Sequence, residues 1–490
     1  MVRRIVPVVL CLVIAAGCST LDDAFNAEPA ETESDSSQDS QRQSAPESEA
    51  DDGADADPET EATPDRPGEA PGQSTPSTPA PAPAPVPAPS ISDDELTLRL
   101  SELGGRLAVG NGPELAVVRP DGAGIDVIDG SETVLASQPT WSHDGQHLAW
   151  SSISAERQVV QVQRFDEDGL RSEQPQVTDA PGNPVFYLQW NEGGDRLAYI
   201  RNAPDGGSVE VGVIEPGLPI IPVGLGAPFF ISWSPAPDRL LGHVDESSIE
   251  SYDVQAAAVS GFTTVTPVTG GFSAPVWVDD RRALIASDER LWYLDVESGA
   301  IEAIIELDGP VRFVLSPDRK RLAFQRLAEA SSPTVIVQPI QQQRTGLVVL
   351  DLETLDRTLV TSEIVLAWEW SPDGQKLAWL EGRFVDQRPA GRWHFWSGDA
   401  ALATTESQWF SITRRYGQSY LPFFAQYAQS VTGWAPDSLA YAFAGRVNGE
   451  RGVWIQLIDE VVSPRNVAPG DFVTWGPGQP PPPSQGASAA

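Results

Sequence analysis

Seven times along this 490-residue chain, an aromatic or leucine residue is followed by a Ser-Pro-Asp-Gly-like turn and then a short apolar strand. The clearest copy runs Trp370-Ser371-Pro372-Asp373-Gly374-Gln375-Lys376-Leu377-Ala378-Trp379, and Trp141 to Trp150 is nearly as regular. Degenerate copies begin at Trp190, Trp233, Trp277, Leu315 and Trp434. In the turn, Pro presets φ, Asp caps through its side chain, and Gly takes the positive φ. The returning strand is apolar, as in Leu148-Ala149-Trp150, Leu197-Ala198-Tyr199 and Leu322-Ala323-Phe324. Successive copies are 49, 43, 44, 38, 55 and 64 residues apart, which is the length of a unit of four short strands.

Third and fourth strands follow each turn, for example Val159 to Val162 and Leu347 to Leu350. Four antiparallel strands repeated at this interval specify an all-β chain, a closed β-propeller. Gly104-Gly105-Arg106-Leu107-Ala108-Val109 reads as a turn and second strand with no first strand before it, while Phe472 to Trp475 reads as a first strand with nothing after it. Joined, they complete one blade from both termini and remove the exposed edges of the ring. Turns near 104, 143, 193, 236, 279, 318, 373 and 437 count eight blades, or seven if the first or fourth turn is misread. The tryptophans are expected as packing between adjacent sheets, not as a ligand cage. The pattern over residues 104–475 resembles the TolB-like, or WD40-like, propeller repeat of bacterial lipoprotein-class proteins. That resemblance implies a scaffold used as an interaction platform, and a scaffold by itself does not name a function.

The ends of the chain read differently. Arg3 and Arg4 precede an apolar run from Ile5 to Ile14, followed by Ala15-Ala16-Gly17-Cys18. A basic start, a short apolar core and small residues before a cut site make residues 1–17 a signal peptide. The small residues before Cys18 resemble a lipobox, with Ala15 where leucine is usual; the resemblance implies a diacylglycerol thioether and N-acylation on Cys18. Several acyl chains anchor stably where one is marginal. Residues 18–91 are acidic and then Pro/Ala-rich, too polar to fold and self-extending, and so read as a tether. Ser92 and Glu95 form a capping box for a short helix over 92–103, and the Pro-rich residues 476–490 read as a disordered tail.

Composition narrows the job. The net charge is -37, and Lys320 and Lys376 are the only lysines; such a surface repels nucleic acid. Cys11 and Cys18 are the only cysteines and lie at the N-terminus, so the repeats hold no disulfide and no thiolate metal site. No cofactor is expected. No Gly-x-Ser-x-Gly elbow, His-Glu-x-x-His or Walker loop occurs. The expectation is therefore a monomeric, non-catalytic platform on the outer side of the cell membrane or on the outer membrane, binding an envelope protein or peptide. The alternative is a cell-wall carbohydrate-binding module, or a carbohydrate-active enzyme working through carboxylates.

One segment departs from the repeat. Residues 381–432 hold 11 aromatics in 52 residues, against 8% in the whole chain, and five arginines against four acids. Strands are expected at Trp409 to Thr413 and Phe423 to Ala428, and a loop at Gly382 to Trp396. Arginine and aromatic residues favour interfaces and sugar sites, so Arg383, Arg388, Arg392, Trp393, His394, Phe395 and Trp396 are the candidate binding residues. The 327–346 insertion of the preceding blade is expected beside them.

Overall fold

The computed structural model describes residues 91–477 apart from internal stretches, of which the longest are 263–273, 327–345 and 402–407. The signal segment, Cys18, the tether up to residue 90, the tail from 478 and nearly all of the 327–346 insertion lie outside the described residues.

Six four-stranded antiparallel sheets and one eight-stranded sheet account for the strands. Blade 1 takes three strands, Arg106–Asn111, Glu114–Val118 and Asp126–Asp129, from the start of the ring and its first strand, Phe472–Gly476, from the end. Leu107 pairs with Trp475 and Val109 with Val473 across that closure. Blades 2 to 6 begin at Leu135–Trp141, Val185–Trp190, Phe229–Trp233, Val276–Trp277 and Val311–Leu315. The eight-stranded sheet is two blades fused: blade 7 begins at Val365–Trp370, while blade 8 holds Ala440–Val447, Glu450–Leu457 and Arg465–Ala468. Trp434 supplies blade 8's first strand through a single bridge to Tyr441. The count is eight. Each successive pair of blades shares buried apolar contacts, blade 8 with blade 1 included.

The repeat residues do this work in register. Trp190 Nε1 donates to the carbonyl of Thr140 (3.2 Å), Trp233 to Gln189 (3.0 Å), Trp277 to Ser232 (3.2 Å), Trp370 to Val314 (3.1 Å) and Trp434 to Glu369 (3.2 Å). In every case the acceptor is the residue just before the aromatic or leucine that opens the previous copy. Each indole is thus wedged between blades with its one donor satisfied, so removing one costs about 3–5 kcal/mol. The turns are equally uniform. Ser142, Ser316 and Ser371 each donate to the Asp two residues on, and their hydroxyls accept the backbone N–H five residues on. Gly145, Gly194 and Gly374 sit at φ near +70°, and in two of the four copies without glycine Arg319 (φ 60°) and Ser438 (φ 61°) take the same conformation.

The helix Asp93–Glu102 is capped by Ser92, whose hydroxyl accepts from the N–H of Glu95 at 3.2 Å. Its Leu100, with Leu103 just beyond its end, is buried against Ala435, Ala440 and Leu457 of blade 8.

Two expectations about residues 381–432 are corrected. Gly382 to Trp396 is not a loop: Lys376–Val385 and Arg388–Ser397 form a continuous hairpin paired in register from Lys376↔Ser397 to Val385↔Arg388. The alternation Arg392, Trp393, His394, Phe395 is a strand period, polar on one face and apolar on the other. Phe423 to Ala428 is not a strand but helical, following the turns of Tyr416–Tyr420. From Arg414 to Ser430 there is no Val, Ile or Thr, and Pro422 begins a turn, so the local preference is against a strand. Trp409 to Thr413 does contain a strand, Phe410–Ile412, which pairs with Gly391 on blade 7 and Val447 on blade 8 and stitches the two hairpins together.

Candidate functional site

The insertion that joins blades 7 and 8 runs into the central channel. Thr140 Oγ1 donates to the carbonyl of Ser430 (2.6 Å), Tyr187 Oη to that of Gln426 (3.0 Å), and Tyr427 Oη to that of Phe186 (2.6 Å). The Gln426 side chain meets blade 4 as another strand would: Oε1 accepts from Ile231 N–H (3.0 Å) while Nε2 donates to Ile231 C=O (2.9 Å). Phe424 packs edge-on against Trp368 of blade 7 at 4.3 Å. Arg415 is tied to the carbonyl of Ala136 (2.7 Å) and to Asp471.

The residue before each repeat aromatic points at this insertion or at the space beside it. Thr140 and Glu369, with the matching Thr474 of blade 1, are partnered by it. Glu369, 5% exposed, accepts from Tyr420 Oη (2.9 Å), Thr432 Oγ1 (3.2 Å) and Gly433 N–H (2.9 Å). Burial raises its carboxyl above the ordinary carboxylate value, and these donors only partly offset that. Thr474 Oγ1 donates to the carbonyl of Thr432 and accepts its N–H.

In the next four blades the equivalent residues, Gln189, Ser232, Val276 and Val314, line a cavity of about 310 Å³. Its floor is Ala425, Ala428 and Gln429 of the insertion, and its mouth lies among the turns at His143, Glu192 and Arg319. An ion pair between Arg319 and Glu192, 2.5 Å, joins the turns of blades 6 and 3 at this mouth. Gln189 is 5% exposed and its Oε1 has no hydrogen-bond partner among the described residues. Sequence reasoning missed this cup. Gln189, Ser232 and their counterparts were visible only as the residue before each tryptophan, and nothing in the repeat says which of them the insertion reaches.

Apart from Trp396, which is buried although it shares the parity of Arg392 and His394, the candidate residues on Arg388–Ser397 divide by strand parity. Trp393, Phe395 and Trp396 are buried: Trp393 lies on Tyr441 (4.5 Å), and Phe395 lies edge-on to Trp434 (5.6 Å). These three are core. On the other face, Arg392 bonds Glu381 through Nη2 (2.8 Å) and Nε (3.1 Å), and His394 contacts the same carboxylate oxygen at 2.7 Å while stacking on Trp379 at 4.1 Å. Burial opposes ionisation of Glu381, but Arg392 and His394 outweigh it and hold its carboxyl below the ordinary range. Burial pushes the His394 imidazole down, against the pull of Glu381. Arg383 is exposed and its guanidinium lies 3.6 Å from the centre of the Trp409 ring, with that of Arg392 at 4.9 Å. Arg388 is half-buried beside Val385 at the hairpin end. Trp409 was noted in the sequence as part of a strand; its half-exposed ring belongs with this cluster. Among the described residues, no group of three or more His, Cys, Asp or Glu is placed to hold a metal ion, and no helix is long and apolar enough to cross a membrane.

No known family profile matches this chain, and no curated protein does. Solved structures do, as folds. TolB from Acinetobacter baumannii is 16% identical with a TM-score of 0.33, over 60% of this chain and 61% of that one. The chain therefore matches less than two thirds of that protein's length. The β-propeller domain of the Trilobed protease from Pyrococcus furiosus is 12% identical with a TM-score of 0.42, over 69% of this chain and 97% of that one. The C-terminal WD40 domain of Sif2 is 11% identical with a TM-score of 0.36, over 67% and 98%. The β-propeller itself is carried by the sheet topology and the closing strand.

Proposed function

We propose that this chain is a lipid-anchored, extracytoplasmic lipoprotein whose propeller is a non-catalytic binding platform, and that its cup takes a peptide segment of another envelope protein. The observation that carries the reading is the half-filled channel. Where the insertion lies, channel-facing side chains are met by polypeptide: Thr140 by the carbonyl of Ser430 and Glu369 by the N–H of Gly433. Gln189 stands at the same repeat position as Glu369 and lacks such a partner among the described residues. A chain end or loop tip of small residues, resting on Ala425 and Ala428 beside Gln189 and Ser232, fills the space that the insertion fills opposite. A volume of 310 Å³, at about 30 Å³ per water, displaces about ten waters.

The anchor rests on Ala15-Ala16-Gly17-Cys18 and is checked by the mass of the mature N-terminus from the native host. An unmodified soluble form would contradict it. Binding is checked by capture from a detergent envelope extract with the wild type and with Gln189→Leu and Ala425→Leu, the second of which fills the cup. A stoichiometric protein held by the wild type and released at least tenfold by both variants supports the reading. Retention of glycan instead supports a carbohydrate-binding module.

A further inference from the structure

The hairpin of blade 7 carries a second surface, independent of the cup. Its strands, Lys376–Val385 and Arg388–Ser397, are ten residues each, where the matching strands of blade 3 are six. The neighbouring first strand pairs only as far as Glu381, opposite Val365, and the last bond on that side runs from Gly382 N–H to Ile364 C=O at 3.0 Å. Beyond it, Arg383, Phe384 and Val385 pair with Ala390, Pro389 and Arg388 on one side, and among the described residues have no strand on the other. Unpaired strand edges of this kind are templates for another chain.

Two of the three side chains at this short edge, Arg383 and Val385, are exposed. Val385 is 40% exposed. The Arg383 guanidinium carbon lies 3.6 Å from the centre of the Trp409 ring, a contact through which an arginine is held on an aromatic face. Arg392, on the same ring, is neutralised by Glu381, whereas no carboxylate pairs with Arg383 among the described residues. In a chain of net charge -37, an arginine left uncompensated at an open strand edge is unusual.

We propose that this edge binds an extended acidic peptide by strand addition, with main-chain hydrogen bonds to residues 383–385 and a carboxylate of the peptide bound side-on by Arg383. A bidentate Arg–carboxylate contact is directional as well as strong, and the edge supplies an affinity that does not depend on sequence. Lipid phosphate could meet the guanidinium but makes no use of the open backbone edge, which is why a polypeptide is the occupant argued for here.

The test uses the whole protein and the peptide acetyl-Glu-Val-Glu-Val-Glu-amide, with the Lys-for-Glu peptide as control. Calorimetric titration should show binding of the acidic peptide at least tenfold tighter than the basic one, weakened by salt. Arg383→Glu should reverse that preference while leaving the melting temperature unchanged, because the side chain is exposed. Hydrogen exchange should show new protection at residues 383–385. Equal affinity for the two peptides, no binding by the wild type, or protection appearing only elsewhere overturns the proposal. So does binding of phosphatidylglycerol vesicles through Arg383 with no binding of the peptide. Gln189→Leu should leave the peptide titration untouched, which separates failure here from failure of the cup.

Discussion

Blades 3 to 6 and the fused pair 7 and 8 are the same repeat under two regimes. In blades 3 to 6 the first strands follow one another at the spacing of the sequence copies, and their channel-facing residues, Gln189 to Val314, end at open space. In blades 7 and 8 an insertion interrupts the repeat, stitches two hairpins through Phe410–Ile412, and then crosses the channel to blades 2, 3 and 4. Both proposed binding surfaces come from that one irregularity. The hairpin edge is what it adds; the cup is what it leaves unfilled. Function in this molecule is read from departures from the repeat, and the repeat itself is scaffold.

The comparison breaks most severely at the closure. Removing Phe472 to the C-terminus deletes the first strand of blade 1 and with it Trp475, whose Nε1 donates to the carbonyl of Gly104 at 3.0 Å. Stability should fall by more than the roughly 3–5 kcal/mol of one buried tryptophan, measured by denaturant titration. A truncated chain as stable as its parent would mean that blades 1 and 8 do not depend on the closing strand.

Next in size is the insertion's grip on the opposite half. Gln426→Ala strands the N–H of Ile231 and removes one of the two donors to the Ile231 carbonyl and the donor to the Tyr187 hydroxyl, which keeps its bond to the residue 426 carbonyl; at about 1–3 kcal/mol per buried unsatisfied group it should cost about 1–3 kcal/mol. A conservative change at an outer strand, Leu359→Ala in blade 6, should cost little, since Leu359 is 63% exposed. Equal effects would erase the distinction between the two regimes.

Glu369 sharpens the comparison through pH. Its folded-state value lies above the unfolded one because of burial, so the neutral form is favoured by folding. The stability it contributes is complete below about pH 4.5 and is lost as pH rises through the raised value. Glu369→Gln should flatten that decline in a series of melting temperatures, although its NH₂ group faces donors and lowers the curve as a whole. A wild-type slope that survives the substitution would assign the decline to other groups.

The smallest effect is expected at the mouth. Arg319→Gly relieves a positive φ worth about 1–2 kcal/mol and loses a half-exposed ion pair worth about 0–1 kcal/mol, so stability should move by about 1 kcal/mol at most.

The fold was legible because its signal is periodic. Tryptophan, turn and apolar strand recur often enough that degenerate copies such as Trp277-Val278-Asp279-Asp280 still fall in step; there Asp279 caps the turn by accepting from the N–H groups of Arg281 and Arg282. The split first blade was legible too, because one end lacked a first strand and the other supplied one. The candidate site was legible only as a region. Arginine and aromatic density marked residues 381–432, but density does not say which side of a strand faces the core. Trp393 and Phe395 are packed while Arg392 and His394 are not, a separation that follows from parity once the segment is known to be paired. The cup was not legible at all, since it is defined by where a helical segment 240 residues away in sequence from Gln189 stops.

The most direct test of the account places a photo-cross-linking amino acid at two positions of the protein in its native envelope. One replaces His143, exposed at the mouth of the cup, and the other Leu359, exposed on the outer strand of blade 6. The account predicts one protein partner captured from position 143, none from 359, and loss of that capture when Ala425→Leu fills the cup. Capture from position 359 alone, or capture from 143 that Ala425→Leu leaves intact, would contradict it.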